Sequence, residues 1–147
     1  MIAVDTNILV YAHRDEFAQH KRANEVINGL ATGRVPWGIP WPCIGEFVSV
    51  VTNPRPFRRP STVDEAALQL DVWVHAPSAR LLGERVDTWQ HLRELLVTSG
   101  VTRASVHDAR IAAICLEHGV HELWSADRDF SRFPKLRTRN PLEDELT

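Results

Sequence analysis

Short apolar runs alternate with longer amphipathic stretches along the chain. The apolar runs are bounded by turn residues and predict five strands, the fourth taken together with its turn: residues 1–5, 33–40, 78–83, 120–130 and 135–140. The stretches with a helical apolar period predict five helices: residues 17–30, 42–53, 61–74, 86–100 and 105–119. Strands that alternate with helices are typical of an α/β fold with a mainly parallel sheet. The length of 147 residues fits one domain over residues 1–147.

Three acidic residues lie where predicted strands end. Asp5 closes the first strand, and Asp127 and Asp129 follow the fourth. Sites in parallel sheets lie at the carboxyl ends of the strands, so these carboxylates would meet if the two strands are neighbours. For Asp127 and Asp129 the alternative is turn chemistry, since aspartate also stabilises turns and helix starts.

Two further acids lie on predicted helices. Asp108 shares a helical face with Ile111 and Cys115, which places it on the core side of the first turn. A favourable interaction with the helix N-terminus, with Ser105 as the cap, explains its place in the first turn but not on the core side. Glu46 points away from the apolar face of its helix, and only its place one turn after the second strand favours a functional role.

A cluster of these acids would need a cation. Two carboxylates about 4 Å apart repel by on the order of 4 kcal/mol at an effective dielectric constant near 20. Carboxylate oxygens with few imidazoles or thiolates suit Mg²⁺ or Mn²⁺. Thr6, Asn7 and Ser125 supply two hydroxyls and an amide that would orient the carboxylates. The polar residues inside the apolar N-terminal run are therefore interpreted as the floor of a metal site.

The acidic motifs occur in the order found in a known nuclease family. The chain carries "VDTNILVYA" with Asp5, "GEF" with Glu46, "HDARIAA" with Asp108, and "SADRDF" with Asp127 and Asp129. It thereby resembles PIN-domain ribonucleases, and more closely VapC-type toxins of toxin–antitoxin systems. The resemblance implies Asp5 and Asp108 as direct metal ligands, Glu46 as the third acid, and either Asp127 or Asp129 as the fourth.

The resemblance also implies an architecture and partners. The fold would be a three-layer α/β/α sandwich around a sheet of about five strands. The activity would be cleavage of RNA by an endoribonuclease that depends on Mg²⁺ or Mn²⁺. A small antitoxin would inhibit it, and the chain would form a homodimer.

Basic residues are grouped in two places. Arg55, Arg58 and Arg59 lie in one loop, and Arg128 begins a second basic stretch just after the last acidic motif. Either they form a rim that tracks RNA phosphates, or they are ordinary solvated surface. The formal net charge of −2 argues against non-specific coating of nucleic acid.

Several classes of protein and site are disfavoured. No apolar run approaches the about 18 residues of a membrane span, and no signal peptide is visible. The two cysteines match no ligand spacing and are expected to be buried free thiols in the cytoplasm. A zinc pair at His118 and His121 is disfavoured because Gly119 interrupts the helix.

Two other functions remain open. One is another Mg²⁺-dependent phosphotransfer enzyme, although a haloacid-dehalogenase-like site would need an aspartate where this chain has Asn7. The other is a catalytically silent α/β binding module whose acids only cap turns and helices.

The expected inhibitor would present an amphipathic helix and a basic side chain. The basic side chain would form charge-assisted hydrogen bonds with the acidic cluster. The apolar face would dock on exposed residues in and near two neighbouring helices. The candidate docking residues are Phe17, Ile27, Phe47 and Val51.

Overall fold

A parallel sheet forms the centre of the part of the chain that the computed structural model describes, residues 1–143. Its five strands are, in chain order, β1 (Ile2–Val4), β2 (Trp37–Pro40), β3 (Ala79–Leu82), β4 (Glu122–Trp124) and β5 (Thr138–Arg139). They lie side by side in the order β3-β2-β1-β4-β5, and every neighbouring pair is parallel.

In residues 1–143, six α-helices connect the strands. They are α1 (Thr6–His13), α2 (His20–Thr32), α3 (Trp41–Val51), α4 (Val63–Val74), α5 (Thr88–Ser99) and α6 (Ser105–Glu117), and a 3-10 turn at Arg128–Arg132 follows β4. The chain crosses the sheet in one direction from β1 to β3 and then returns to β4, beyond β1. Because such crossovers are right-handed, α1–α4 cover one face and α5 and α6 the other. The predicted three-layer α/β/α sandwich is confirmed.

The strand order reverses between β1 and β4, which opens a crevice at their carboxyl ends. Val4 lies in register with Trp124. The Asp5 amide then donates to the Trp124 carbonyl, with an N···O distance of 2.9 Å. The turn after β1 and the turn after β4 are therefore held side by side at this crevice.

The hydrophobic pattern does not predict α1. Ile8, Leu9 and Val10 are all buried, so the helix is apolar around most of its circumference and lacks the amphipathic period on which prediction depends. The helix begins because Asp5 caps it: the carboxylate Oδ1 accepts a hydrogen bond from the Thr6 amide at 2.8 Å. The first strand is consequently followed at once by a buried helix.

The sequence places the start of α2 and the cap of α6 incorrectly. Helix α2 begins at His20, so Phe17 lies in the loop before it. Ser105 is the first residue of α6, not its cap, and its hydroxyl accepts a hydrogen bond from the Arg132 guanidinium at 2.8 Å. The cap position belongs to Ala104, which has no side chain able to accept a hydrogen bond. Ser105 instead ties α6 to the turn after β4.

The predicted exposed docking groove is wrong in three of its four residues. Ile27, Phe47 and Val51 have a relative exposure of 0%, because α2 and α3 pack against α1 through these side chains. Only Phe17 of the predicted set is partly exposed. No helix within residues 1–143 combines the length and apolar character needed to cross a membrane.

Replacing Gly38 of β2 by alanine is expected to destabilise the protein. The new Cβ would lie 2.5 Å from Cδ1 and 2.9 Å from Cγ of the buried Leu82. Relieving this overlap should cost about 1–3 kcal/mol in the free energy of unfolding, measured by urea denaturation. The matched control is Gly29→Ala in α2, where nothing lies within 4 Å of the new Cβ and stability should rise by about 0.5–1 kcal/mol. Equal effects of the two substitutions would contradict this expectation.

Candidate active site

Asp5 is the deepest acid of the crevice, and hydrogen-bond donors surround its carboxylate. Besides the Thr6 amide, Oδ1 accepts a weak hydrogen bond from the Cys43 thiol at 3.7 Å. Oδ2 accepts from the Ser125 hydroxyl at 2.8 Å and from the Asn7 amide group at 3.3 Å. The orientation of this carboxylate is therefore fixed by residues on both sides of the crevice.

Asn7 and Ser125 also join the two turns to each other. The side-chain amide of Asn7 donates to Ser125 Oγ at 3.2 Å, and its Oδ1 accepts from the Ala126 amide at 3.1 Å. Ser125 Oγ accepts from the Asp127 amide at 3.0 Å. Asp127 Oδ1 in turn accepts from the Asp129 amide at 2.8 Å, so Asp127 also caps the 3-10 turn. Asp127 therefore both stabilises a turn and lies close to the other acids.

Two carboxyl groups of the crevice hold their protons unusually well. The pKa of Asp5 is raised to about 6, first by burial and then by the negative charges of Glu46 and Asp108, against the lowering effect of its hydrogen bonds. The pKa of Asp108 is also raised to about 6, by burial and then by Asp127, Asp129 and Glu46. Four of the five acids also line one cavity, and Asp129 lies beside Asp108, so all five belong to one region.

Three of these acids are placed to share one ligand. Asp108, Asp127 and Asp129 each offer an oxygen, and these oxygens lie within 4.8 Å of one another. The carboxylate of Asp108 has no hydrogen-bond partner within residues 1–143. Both candidates for the fourth acid, Asp127 and Asp129, therefore lie beside Asp108, while Asp5 lies deeper and outside this group of three.

Two cavities meet at the acids and share Glu46 and Asp108. The first, here called the α6 cavity, encloses about 480 Å³ between the starts of α3 and α6 and is lined in part by His107 and Arg110. The second, here called the aromatic cavity, encloses about 280 Å³ on the α1 side. Glu46 is exposed, as its position off the apolar face of α3 predicts, and its place just after β2 brings it to the mouths of both cavities.

The Thr6 hydroxyl was expected to orient the carboxylates of the acidic cluster, and it does not do so. Its hydroxyl Oγ1 is buried and has no hydrogen-bond partner among residues 1–143, so it does not orient Asp5. Only the backbone amide of Thr6 contacts that carboxylate. The unpartnered hydroxyl lies in a residue that lines the aromatic cavity.

The basic residues lie outside the acidic cluster. Arg55, Arg58 and Arg59 are exposed on the loop after α3. Arg128 is exposed near the turn after β4, with its guanidinium 3.6 Å from the Glu143 carboxylate. Arg110 was not singled out from the sequence, although its place two residues after Asp108 on α6 was available as a signal. It lines the α6 cavity and forms an ion pair with Glu84.

Comparison with known proteins gives a family and several close relatives. The family model of the PIN domain matches residues 2–136. Ribonuclease VapC43 of Mycobacterium tuberculosis is 36% identical over 145 residues, which cover 99% of this chain and 98% of the relative. Ribonuclease VapC37 of the same organism is 33% identical over 141 residues, with 96% and 97% covered.

Solved structures share the fold at lower identity. VapBC2 from Rickettsia felis, bound to a DNA fragment from its promoter, superposes with a TM-score of 0.69 at 19% identity, covering 95% of this chain and 98% of that chain. VapC20 of Mycobacterium tuberculosis, a toxin that cleaves the sarcin-ricin loop, gives a TM-score of 0.65 at 20% identity, covering 89% and 93%. At these identities the likeness concerns the fold.

Replacing Asp108 by asparagine is expected to stabilise the metal-free protein at neutral pH. Its pKa of about 6 lies above the ordinary 3.8, so its contribution to stability is fully present below about pH 4 and is lost as the pH rises through about 6. After allowance for solvent screening, the variant should gain about 0.5–1.5 kcal/mol at pH 7.5 and nothing at pH 4.

Thermal unfolding in EDTA at both pH values measures this difference. The control is Glu25→Gln on the exposed middle of α2, which removes the same charge away from the cluster. A variant at position 108 that is less stable than the wild type at neutral pH would show that burial and repulsion do not destabilise this carboxylate.

Proposed function

The chain belongs to the PIN domain family, and from this membership we propose that it is a metal-dependent endoribonuclease acting as the toxin of a toxin–antitoxin pair. The observation that carries the proposal is the convergence of five acids from four separate parts of the chain on the crevice between β1 and β4. Relatives that match the chain almost end to end are named ribonucleases.

The side chains of the crevice fit a hard divalent cation. The candidate group Asp108, Asp127 and Asp129 offers only carboxylate oxygens. Such ligands suit Mg²⁺ or Mn²⁺. A bound ion would offset both the burial and the mutual repulsion that raise the two pKa values. We propose Asp5 and Asp108 as direct ligands, following the family resemblance, with Asp127 and Asp129 beside them.

Each side chain then has a distinct task. A bound divalent cation supplies Lewis-acid stabilisation of negative charge on the phosphoryl oxygens. Ser125 and Asn7 keep the Asp5 carboxylate in one orientation through their hydrogen bonds. Glu46 has no hydrogen-bond partner among residues 1–143 and lies at the mouths of both cavities, so its carboxylate is placed to accept the proton of the attacking water.

RNA would approach over the basic residues that border the crevice. Arg55, Arg58 and Arg59 on one side and Arg128 on the other would contact phosphates of the substrate. Replacement of the three loop arginines by alanine should flatten the salt dependence of RNA binding, relative to a variant of equal charge lacking Arg34, Arg80 and Arg93.

The proposed partner is a small antitoxin that covers the acidic crevice. A solved structure that shares the fold, with a TM-score of 0.61 at 17% identity, is a toxin-antitoxin complex from Klebsiella pneumoniae. For this chain we propose that a basic side chain of the antitoxin lies near Asp5, Glu46 and Asp108, held by charge-assisted hydrogen bonds. Ile27, Phe47 and Val51 are buried and cannot contact the antitoxin. Of the predicted docking residues only Phe17 is partly exposed, so the apolar side chains of the antitoxin would contact Phe17 and other surfaces.

A second copy of the chain is also proposed as a partner. Trp41, Val86 and Trp89 are exposed by 52%, 94% and 59%, and a homodimer would cover such large apolar side chains. Light scattering of the purified chain tests this state. Both cysteines are buried free thiols, in keeping with the cytoplasmic location that we propose.

Asp5→Asn and Asp108→Asn are each expected to lower RNA cleavage by at least about 100-fold, because each removes a charge from the proposed cation site. EDTA should abolish wild-type cleavage, and Mg²⁺ or Mn²⁺ should restore it. Either ion should also raise the melting temperature of the wild type but not of Asp108→Asn. Glu25→Gln serves as the control and should retain full activity.

Cleavage that persists in a folded Asp108→Asn variant would remove the proposed site. Cleavage that survives EDTA would remove the cation from the mechanism. A wild-type protein that binds RNA without cutting it under any of these conditions would favour the silent binding module. Hydrolysis of small phosphomonoesters in its place would favour another Mg²⁺-dependent phosphotransfer enzyme.

Expression of the wild-type chain alone is expected to arrest growth of the producing cells, since an uninhibited ribonuclease degrades their RNA. The Asp108→Asn variant should not arrest growth. Co-expression of the small reading frame beside this gene should restore growth and yield a complex that purifies together. Normal growth with the active wild-type enzyme alone would contradict the toxin assignment while leaving the nuclease assignment intact.

A further inference from the structure

The aromatic cavity is not used by the mechanism described so far, although it opens directly beside the acids. Its walls are apolar side chains of α1, α3 and two loops: Val10, Tyr11, Phe17, Val50, Pro56 and Phe57. The enclosed volume of about 280 Å³ lies at the lower end of small-molecule sites, which suits one flat ring system. The cavity therefore has the size and the walls of a site for a single planar group.

The aromatic walls are held rigidly. Tyr11 and Phe17 meet edge to face with ring centroids 5.0 Å apart, and Phe17 and Phe57 meet in the same way at 5.9 Å. The guanidinium carbon of Arg14 lies 4.4 Å from the centre of the Phe57 ring and supports it. Since the rings are already packed against one another, an inserted ring would immobilise few side chains and would bind at a low entropic cost.

The lining of the cavity is polar at one end. Thr6, Asn7 and Glu46 line it there, next to the other acids. A nucleobase has an apolar face and carries hydrogen-bond donors and acceptors along its edge, so it suits a cavity with apolar walls and one polar end.

Charged groups lie on both sides of the cavity. On one side it shares Asp5, Asp108 and Asp127 with the proposed cation site, where the cleaved phosphodiester would lie. On the other side Pro56 and Phe57 also line a basic surface that includes Arg58 and Arg59. A phosphate site, an apolar cavity and a second basic surface thus succeed one another, as phosphate, base and phosphate do along an unpaired strand.

We propose that the aromatic cavity binds the unpaired base of the nucleotide next to the cleaved phosphodiester. This proposal rests on the endoribonuclease function proposed above and assigns a ligand to a cavity that the function leaves unused. A paired base is held in its helix and cannot enter the cavity without being unstacked. Base occupancy would also position the phosphodiester over the acids.

The test uses a short unpaired RNA whose cleavage site has first been mapped with the wild-type protein. The same RNA is then synthesised with one abasic nucleotide at each position in turn. Loss of the base at one position adjoining the cleaved bond should lower kcat/KM by about 5- to 150-fold, the range expected for one stacked base. Abasic nucleotides elsewhere should have little effect, and a fully paired duplex of the same sequence should be cut poorly.

The substitution Val50→Phe fills the aromatic cavity and tests whether the effect of the abasic nucleotide arises there. In that variant the intact RNA should be cut about as slowly as the abasic RNA, and the abasic nucleotide should cause no further loss. The control is Val97→Phe on α5, where the side chain is 69% exposed and remote from the cavity. It should retain both the activity and the abasic effect of the wild type.

The outcomes separate this proposal from the one on which it rests. If the wild type cuts RNA in Mg²⁺ or Mn²⁺ and no abasic position changes kcat/KM, the base site is wrong and the nuclease stands. If the abasic effect persists unchanged in Val50→Phe, the base binds elsewhere and the cavity assignment is wrong. If neither RNA nor bis(4-nitrophenyl) phosphate, a small diester without a base, is cleaved, both proposals fail. Because the abasic series uses the wild-type protein, it can overturn the proposal even if Val50→Phe does not fold.

Discussion

The carboxylate of Asp5 connects the architecture of this protein to its chemistry. It ends the first strand, begins the first helix and accepts a hydrogen bond from Ser125, which follows the fourth strand. These bonds draw the turns after β1 and β4 together at the point where the strand order reverses. They do not compensate fully for burial, as the raised pKa of this group shows. The crevice is therefore assembled around a group whose charge the fold alone stabilises poorly.

Repulsion among the acids is consistent with a site built for a cation. Arg132 partly offsets it: its guanidinium lies 3.9 Å from Asp129, lowers the pKa of Asp108, and donates a hydrogen bond to Ser105 at the start of α6. One arginine at the edge leaves most of the negative charge uncompensated. The uncompensated carboxylates lower the stability of the ligand-free protein. A ligand of opposite charge would remove this unfavourable energy on binding, so its binding would also stabilise the fold.

The alternation of strands and helices predicted an α/β fold with a mainly parallel sheet, and the family resemblance implied the three-layer sandwich. The sequence also predicted that Asp5 and the acids after β4 lie at the same edge of the sheet, since the carboxyl ends of parallel strands meet there. It did not predict α1, because this helix is buried on nearly all sides and its apolar residues therefore do not recur with the helical period. Nor did it predict the aromatic cavity, whose walls come from α1, α3 and two loops. Such a cavity depends on tertiary packing that no local pattern records.

The distance along the chain between β1 and β4 has a consequence for how the protein is made. Asp5 leaves the ribosome well before Ser125, Asp127 and the strand that pairs with β1 on this side, because 120 positions separate Asp5 from Ser125. Until β4 is synthesised, the crevice has only one wall, and Asp5 lacks its Ser125 hydrogen bond. Domains fold as their chains emerge. A ribosome translating this message is therefore not exposed to a finished acidic site until synthesis of the domain is nearly complete, and a chain broken off before β4 carries only part of that site.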